Sequence, residues 1–393
     1  MSFIQGAIEK TYAENKSALI QETAPVENTQ EIIIKTSQEV SASPDNLADQ
    51  ELADLLAKQE AKIKVIGCGG AGCNTLNRIS ELGIIGAETI IVNTDAQDLL
   101  AGTADKKILI GKDLTKGLGA GGQPNVGRDS AKESEKTLRQ TISGSDLVFI
   151  TCGLGGGTGT GSAPIVAEIA RKSGALTVAI ATIPFKMEGG KRTENAMFGV
   201  DMLEKSVDTL ILIPNDKLLA IAQDLPLQTA FKVADEILAS AVKGITELIT
   251  TTGLVNLDFA DIRAVLGNGG ISLIGVGESD SDNKAAEAVE KALNNPILEV
   301  DVMGAQGALI NVIGGNDLRL DEAKTIVGAI TDRLDPHARI IWGAQINDDM
   351  DGTIKVLLVV TGIESEYGQK RPQAYRDRNA QPTLANDLGI EFV

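Results

Sequence analysis

Two glycine-dense segments follow directly on short apolar runs, and they narrow what this chain can fold into more than any other feature. Leu147-Val148-Phe149-Ile150 runs into TCGLGGGTGTGSAP, and Ile63-Lys64-Val65-Ile66 runs into GCGGAGCN. Each apolar run reads as a buried strand, and the segments beyond the loops, 74–81 and 165–171, read as helices. Ile90-Ile91-Val92, Val178-Ala179-Ile180 and Leu210-Ile211-Leu212-Ile213 continue the rhythm as further strands. Strand, loop, helix, strand in this order predicts an α/β protein with a doubly wound parallel sheet. Ligands of such sheets sit at the carboxyl ends of the strands, where both glycine loops fall.

The loops carry the chemistry. Gly67–Gly72 reads GCGGAG, a G-x-G-x-x-G turn that lets backbone amides approach a phosphate at a helix N-terminus. Alone, it suits equally a nicotinamide dinucleotide with Asp95 on the ribose. The second loop, Gly155–Gly161, adds five glycines and the hydroxyls of Thr158 and Thr160 at the end of another strand. One pyrophosphate does not need two such cradles; a triphosphate does. A third stretch, Gly117–Gly122 (GLGAGG), is placed to close over a terminal phosphate. There is no G-x-x-x-x-G-K-[ST] lysine, so amides must hold the phosphates.

Composition limits the alternatives. With 36 Lys and Arg against 54 Asp and Glu, the formal charge is −18 and no basic cluster stands out. Nucleic-acid backbones and anionic membrane surfaces are therefore poor partners. The three cysteines, Cys68, Cys73 and Cys152, form no C-x-x-C pair, so no structural zinc site is expected, and the odd count suggests a reducing compartment. The single histidine, His337, gives Ser-His-Asp chemistry no support. No apolar run reaches membrane-spanning length and the N-terminus lacks a signal-peptide pattern, so a cytoplasmic location is expected.

Five segments are expected. Residues 1–60 read as a largely disordered extension that ends in a short helix carrying Leu47, Leu52, Leu55 and Leu56. Phe3, Ile4, Ile8 and Tyr12 have loose helical spacing, but without basic residues they do not make a membrane-lying helix. Residues 61–227 form the nucleotide domain. Residues 228–252 form a linking helix whose apolar face (Phe231, Ala234, Ile237, Leu238, Ala241, Ile245, Leu248, Ile249) is wide enough to pack against two domains. Residues 253–363 read as a smaller α/β domain, with strands in ISLIGVG, ALINVIGG, ARIIWGA and IKVLLVVTG, and 364–393 as a polar tail with an apolar-acidic end.

GGGTGTG and GCGGAGCN, together with NTDAQ at 93–97, PNDKLL at 214–219 and NLDFADIRAVL at 256–266, resemble FtsZ, the prokaryotic tubulin relative of the division ring. The resemblance runs from about 62 to 363, with an archaeal flavour. It implies a tubulin/FtsZ-like fold and a site for GTP or GDP with Mg2+. Gly69, Gly70, Ala71 and Asn74 would contact the nucleotide from the first loop, with Asp95 from NTDAQ. Ala120, Gly121 and Gly122 would do so from the third loop, and Gly155, Gly156, Gly157, Thr158, Gly159, Thr160 and Gly161 from the second. Glu188 and Arg192 match ribose contacts; Asn215, Phe231 and Asp235 match base contacts. Elementary chemistry agrees for Asp235, because guanine offers N1–H and N2–H2 side by side to a carboxylate and adenine does not.

Asp258 and Asp261, three apart at a helix start, share a face and have no evident basic partner. The resemblance gives them, with Asn256, a catalytic role in the nucleotide site of the next subunit, so that hydrolysis requires head-to-tail assembly. The plainer reading is that Asp258 caps its helix. No carboxylate cage for a metal is visible, so Mg2+ would ride on phosphates and water. The tail, LANDLGIEFV, departs from basic-ended bacterial tails yet reads as a docking peptide, by resemblance for a SepF-like membrane tether. The rival readings are a nicotinamide oxidoreductase, which explains the first loop alone, and a non-hydrolysing homologue, which would lack the two carboxylates.

Overall fold

The computed structural model describes residues 61–363 except 220–226, 252–253, 256, 268, 299–301 and 303–304. The expected N-terminal extension with its helix, the docking tail and Asn256 lie outside the described residues.

In chain order the elements used below are β1 (Ile63–Cys68), α1 (Gly69–Leu82), β2 (Ala87–Asn93), α2 (Ala96–Ala101), β3 (Lys106–Leu109), α3 (Pro124–Glu133), α4 (Glu135–Ile142), β4 (Leu147–Gly153), α5 (Thr158–Lys172), β5 (Leu176–Ile183), α6 (Gly190–Ser206) and β6 (Thr209–Pro214). The central helix α7 (Leu227–Thr250) and α8 (Phe259–Leu266) follow. The remainder is β7 (Gly270–Ser279), α9 (Lys284–Leu293), β8 (Gly307–Gly314), α10 (Leu320–Thr331), β9 (Arg339–Ile346) and β10 (Ile354–Thr361).

All ten strands form one sheet in the order β3-β2-β1-β4-β5-β6-β7-β10-β8-β9. The first six are parallel throughout. β4, β5 and β6 are buried along almost their whole length, as parallel strands roofed by helices on both faces must be. The chain runs outward from β1 to β3 and then returns to lay β4 on the other side of β1. The carboxyl ends of β1 and β4 therefore flank the point where strand order reverses, and each carries a glycine loop. The register pairs Cys68 with Cys152, which brings the two loops out side by side.

β7 joins β6 through only three residue pairs, Thr209–Ile211 with Gly270–Ser272. Beyond that narrow seam the order turns mixed, with β10 antiparallel to β7 and β8, and β8 parallel to β9. On β10 the side chains alternate by the two-residue period of a strand: Leu357 and Val359 enter the core around α7, while Val356, Leu358 and Val360 enter the C-terminal core.

The wide apolar face of α7 is accounted for by that first core. Val233, Ala234, Ile237, Leu238, Ala241, Val242, Ile245 and Leu248 pack in one cluster with Val65, Phe149 and Val178 on one side and Leu309, Leu357 and Val359 on the other. Polar ties reinforce it: Lys243 Nζ donates to the Leu82 carbonyl at 2.6 Å, and the buried Asn311 amide donates to the Gly244 carbonyl at 3.0 Å. α7 thus belongs equally to both halves of the molecule.

Two helices begin earlier than their apolar patterning suggests. α1 starts at Gly69 rather than Asn74, and α5 starts at Thr158 rather than Ile165. Part of each glycine motif is thus the first turn of the helix itself, which aims the free amides of that turn at the strand ends.

Candidate functional site

A cavity of about 340 Å³ opens at the carboxyl ends of β1, β4 and β5. Gly70, Ala71 and Asn74 line it from the first loop and the start of α1, and Gly156, Gly157, Thr158 and Gly159 from the second loop and the start of α5. Glycine is required where the two loops meet: Gly69 has φ +72°, and a Cβ there would lie 2.7 Å from the Gly159 nitrogen. Thr94 Oγ1 and Thr158 Oγ1, 2.6 Å apart, tie the end of β2 to the second loop. Two helix N-termini and the glycine amides converge on this end of the cavity, so it is electropositive without a cationic side chain from either loop.

The opposite end is built from α7. Phe231 is 39% exposed and meets the buried Phe185 ring edge-on, with centroids 5.2 Å apart at 79°. One face of Phe231 is thereby left for a planar ligand. Asp235 lines the cavity one helical turn further on. Burial pushes its carboxyl up to about 7, opposed only by a hydrogen bond from Thr75 Oγ1 at 3.4 Å. That rise from the usual 3.8 is worth roughly 4 kcal/mol at ~1.36 kcal/mol per tenfold shift in ionisation. Nearby, the buried Asn215 Oδ1 has no hydrogen-bond partner among the described residues. Asn215 Oδ1 thus has no donor among the described residues and the desolvated Asp235 carboxylate has only the long bond from Thr75, whereas buried acceptors of this kind are normally satisfied.

Between the two ends, Glu188 and Arg192 form an ion pair and both line the cavity. Glu188 Oε1 also accepts from the Phe185 amide at 2.9 Å, which fixes the carboxylate relative to the aromatic pair.

Several residues expected to touch a nucleotide do not line the cavity. Asp95 caps α2, its Oδ1 accepting from the Gln97 and Asp98 amides at 2.9 and 3.3 Å. The buried Thr160 accepts from the Gly155 amide at 3.0 Å, which holds the bend of the second loop. Gly161 is buried against α3, where a Cβ would lie 2.5 Å from the Arg128 nitrogen. Gly69 and Gly155 sit behind the loop surface, Ala120 is buried against Gly157, and Gly121 and Gly122 are exposed. Conversely, Gly153, Leu154, Thr182, Pro184 and Ala234 line the cavity without having been singled out in the sequence. Thr182 and Pro184 end the apolar run LTVAI, so the carboxyl-end rule applied to β5 would have found them.

Cys68, Cys73 and Cys152 are all free and buried. Burial pushes the thiols of Cys73 and Cys152 up to about 12, so neither supplies a nucleophilic thiolate. Among the described residues no group of three His, Cys, Asp or Glu side chains is arranged to hold a metal, and no described helix is long and apolar enough to cross a membrane.

Asp258 and Asp261 are exposed, and neither lines the cavity. Asp258 is the N-cap of α8, with Oδ1 accepting from the Ala260 amide at 3.0 Å. Upstream, the Leu254 amide donates to the Ala344 carbonyl at 2.9 Å, fixing this loop to β9. The plain capping role is therefore real, yet it leaves Asp261 and the outer face of Asp258 open to solvent.

Comparison with known proteins agrees with this geometry. Residues 62–223 match the GTPase domain of the Tubulin/FtsZ family, and residues 270–364 match the FtsZ family C-terminal domain. Cell division protein FtsZ 1 of Thermococcus kodakarensis is 54% identical over 390 residues, covering 99% of both chains. Cell division protein FtsZ 1 of Pyrococcus furiosus is 58% identical over 324 residues, 82% of this chain and 87% of that one. The solved structure of an empty FtsZ dimer from M. jannaschii superposes with a TM-score of 0.79 at 57% identity, covering 83% of this chain and 95% of the other.

Proposed function

The chain belongs to the Tubulin/FtsZ family, and from that premise we propose that it binds GTP in the cavity and hydrolyses it only when a second copy supplies the acidic loop. The observation that carries the nucleotide assignment is the buried, partner-poor Asp235 carboxylate beside the orphaned Asn215 oxygen. A guanine seated on Phe231 brings N1–H and N2–H2 to these acceptors; an adenine leaves the carboxylate desolvated and unpaired. Glu188 and Arg192 take the ribose, and the Gly70–Ala71 and Gly156–Gly159 amides take the phosphates. The Gly117–Gly122 loop closes over the terminal phosphate. With no carboxylate cage among the described residues, Mg2+ would be held by the nucleotide's phosphates and water rather than by side chains, and would supply charge neutralisation on the leaving diphosphate.

Hydrolysis needs a group to orient the attacking water, and no carboxylate aimed at the phosphate end lines the cavity. Asp258 and Asp261, with Asn256, provide it from the opposite face of a second copy: the water donates a hydrogen bond to a carboxylate oxygen while its lone pair attacks the terminal phosphorus. A pocket on one face and its missing carboxylates on another make a heterologous contact, which propagates as an open filament. The dimer formed by the M. jannaschii relative supports self-association. The names of the relatives support a further part of this reading, a mid-cell division ring in the cytoplasm with Leu384–Val393 as the docking peptide for a SepF-like tether.

Titration of the full chain, kept below its assembly threshold, with GTP, ATP and XTP tests the nucleotide assignment. GTP is expected to bind at least about 100-fold more tightly than ATP. Equal affinities would remove the role given to Asp235.

A further inference from the structure

α6 lies across the second glycine loop through one face, Arg192, Asn195 and Gly199, spaced three and four residues apart. Arg192 lines the cavity, and a Cβ on Gly199 would lie 2.8 Å from both Leu154 and Thr160. Asn195, between them, is 9% exposed. Its Nδ2 donates to the Gly122 carbonyl at 3.1 Å and to the Gly155 carbonyl at 3.3 Å. Both acceptors are carbonyl oxygens, so the NH2 group must face them and the amide orientation is fixed by chemistry. One buried side chain therefore bridges the third glycine loop to the second.

The third loop needs such a bridge. Its base is tied down: the Gly119 amide donates to the Thr94 carbonyl at 3.2 Å, and the Ala96 amide to the Gly117 carbonyl at 3.0 Å. Its tip is exposed, with φ +57° at Gly121 and +71° at Gly122, conformations that cost glycine most in backbone entropy to fix. Among the described residues the Gly121 and Gly122 amides have no protein acceptor. The tip nonetheless abuts the cavity wall, because a Cβ on Gly157 would lie 2.8 Å from the Gln123 nitrogen.

We propose that Asn195 is a positioning residue that holds the Gly121–Gly122 tip against the second loop, so that its free amides are set for the terminal phosphate of a triphosphate and idle toward a diphosphate. This rests on the guanine-nucleotide reading for its ligand, while the bridge itself can be tested without nucleotide. Asn195→Leu keeps the volume and removes both donors; Asn195→Gln keeps the donors on a longer arm.

The experiment uses the full chain below its assembly threshold and has two arms. In nucleotide-free protein, hydrogen exchange at the Gln123 amide, which closes the tip by donating to the Ala120 carbonyl at 3.0 Å, is expected to rise about tenfold in Asn195→Leu, the worth of one or two neutral hydrogen bonds, with β1 and β4 unchanged. GTPγS affinity is expected to fall about tenfold with GDP affinity held within about twofold, and Asn195→Gln is expected to restore part of both effects. Unchanged exchange, or equal losses for GTPγS and GDP, would overturn the proposal. If the wild type binds neither nucleotide, the guanine reading fails instead, and the exchange arm alone decides the bridge.

Discussion

Asp235 and Asp258 belong to opposite ends of one central helix and differ in nearly every physical respect. Asp235 is near the start of α7, walled into a cavity with its carboxyl pushed up to about 7 by burial. Asp258 follows the end of α7 in an exposed loop, capping α8 and lining no cavity. The first carboxylate is expensive to keep, and on the proposed reading a bound base would offset its desolvation within its own chain. The second is cheap to keep, and on the same reading its use beyond capping lies in a second copy. Recognition of the nucleotide is thereby proposed to be complete in one copy, and chemistry to be the work of two.

The sharpest way to break this contrast is to remove each carboxylate in turn. Asp258→Ala is expected to lower turnover per molecule by roughly 10² to 10⁴, the usual worth of a positioned acid–base group, with GTP affinity unchanged. A matching fall in affinity, measured by titration below the assembly threshold, would place Asp258 in the binding site. Loss of the cap itself costs only about 1 kcal/mol and should be visible as a small fall in Tm.

Asp235→Asn is expected to do the reverse: GTP binding falls about 100-fold, and XTP, whose C2 carbonyl accepts from the new amide, gains. The same residue sets a pH dependence. Guanine needs the ionised carboxylate, so wild-type GTP affinity should rise about tenfold between pH 6 and 8 and flatten above, for a carboxyl that titrates near 7. The nucleotide-free fold shows the opposite sign. A carboxyl whose folded value is raised contributes stability that is fully present below the ordinary carboxylate range and is lost as pH rises through about 7. Thermal melts from pH 4 to 8 should therefore show apo stability falling while GTP affinity climbs, and Asp235→Asn should flatten both trends.

A smaller effect is expected at Asp261. It lies in the first turn of α8, where its charge favours the helix dipole. Asp261→Ala is expected to reduce turnover about tenfold, less than Asp258→Ala, when the two are compared in the same assay. A larger loss at Asp261 would reverse the assignment of the water-orienting group.

The parts of this molecule legible in its sequence are those governed by one-dimensional patterns. Buried parallel strands are continuous apolar runs, and glycine loops at their carboxyl ends mark the switch point, so the location of the cavity followed from Val65, Phe149 and the loops beyond them. Phe231 and Asp235 were legible through resemblance and guanine chemistry. α3 was not, because PNVGRDSAKE shows no apolar stripe: it packs through Gly127, close against Thr158, rather than through large side chains. Nor was β3, whose KKIL is short and half exposed at the sheet edge. Asn195 escaped because nothing in its neighbourhood marks a polar residue as a bridge between loops distant in sequence; only the folded positions of Gly122 and Gly155 reveal it. Asp95 shows a second role that the motif does not announce: it stands beside the loops, and its Oδ1 caps its own helix.

Mixing two disabled copies tests the division of labour between faces most directly. Asp258→Ala retains an intact pocket, and Asp235→Lys retains an intact acidic loop while its pocket is blocked. Each alone should hydrolyse GTP near background at any concentration. Mixed one to one, one interface in four pairs the good pocket with the good loop, so turnover should recover to about a quarter of the wild-type rate. A mixture no faster than the sum of its parts would mean that the site is complete within one chain.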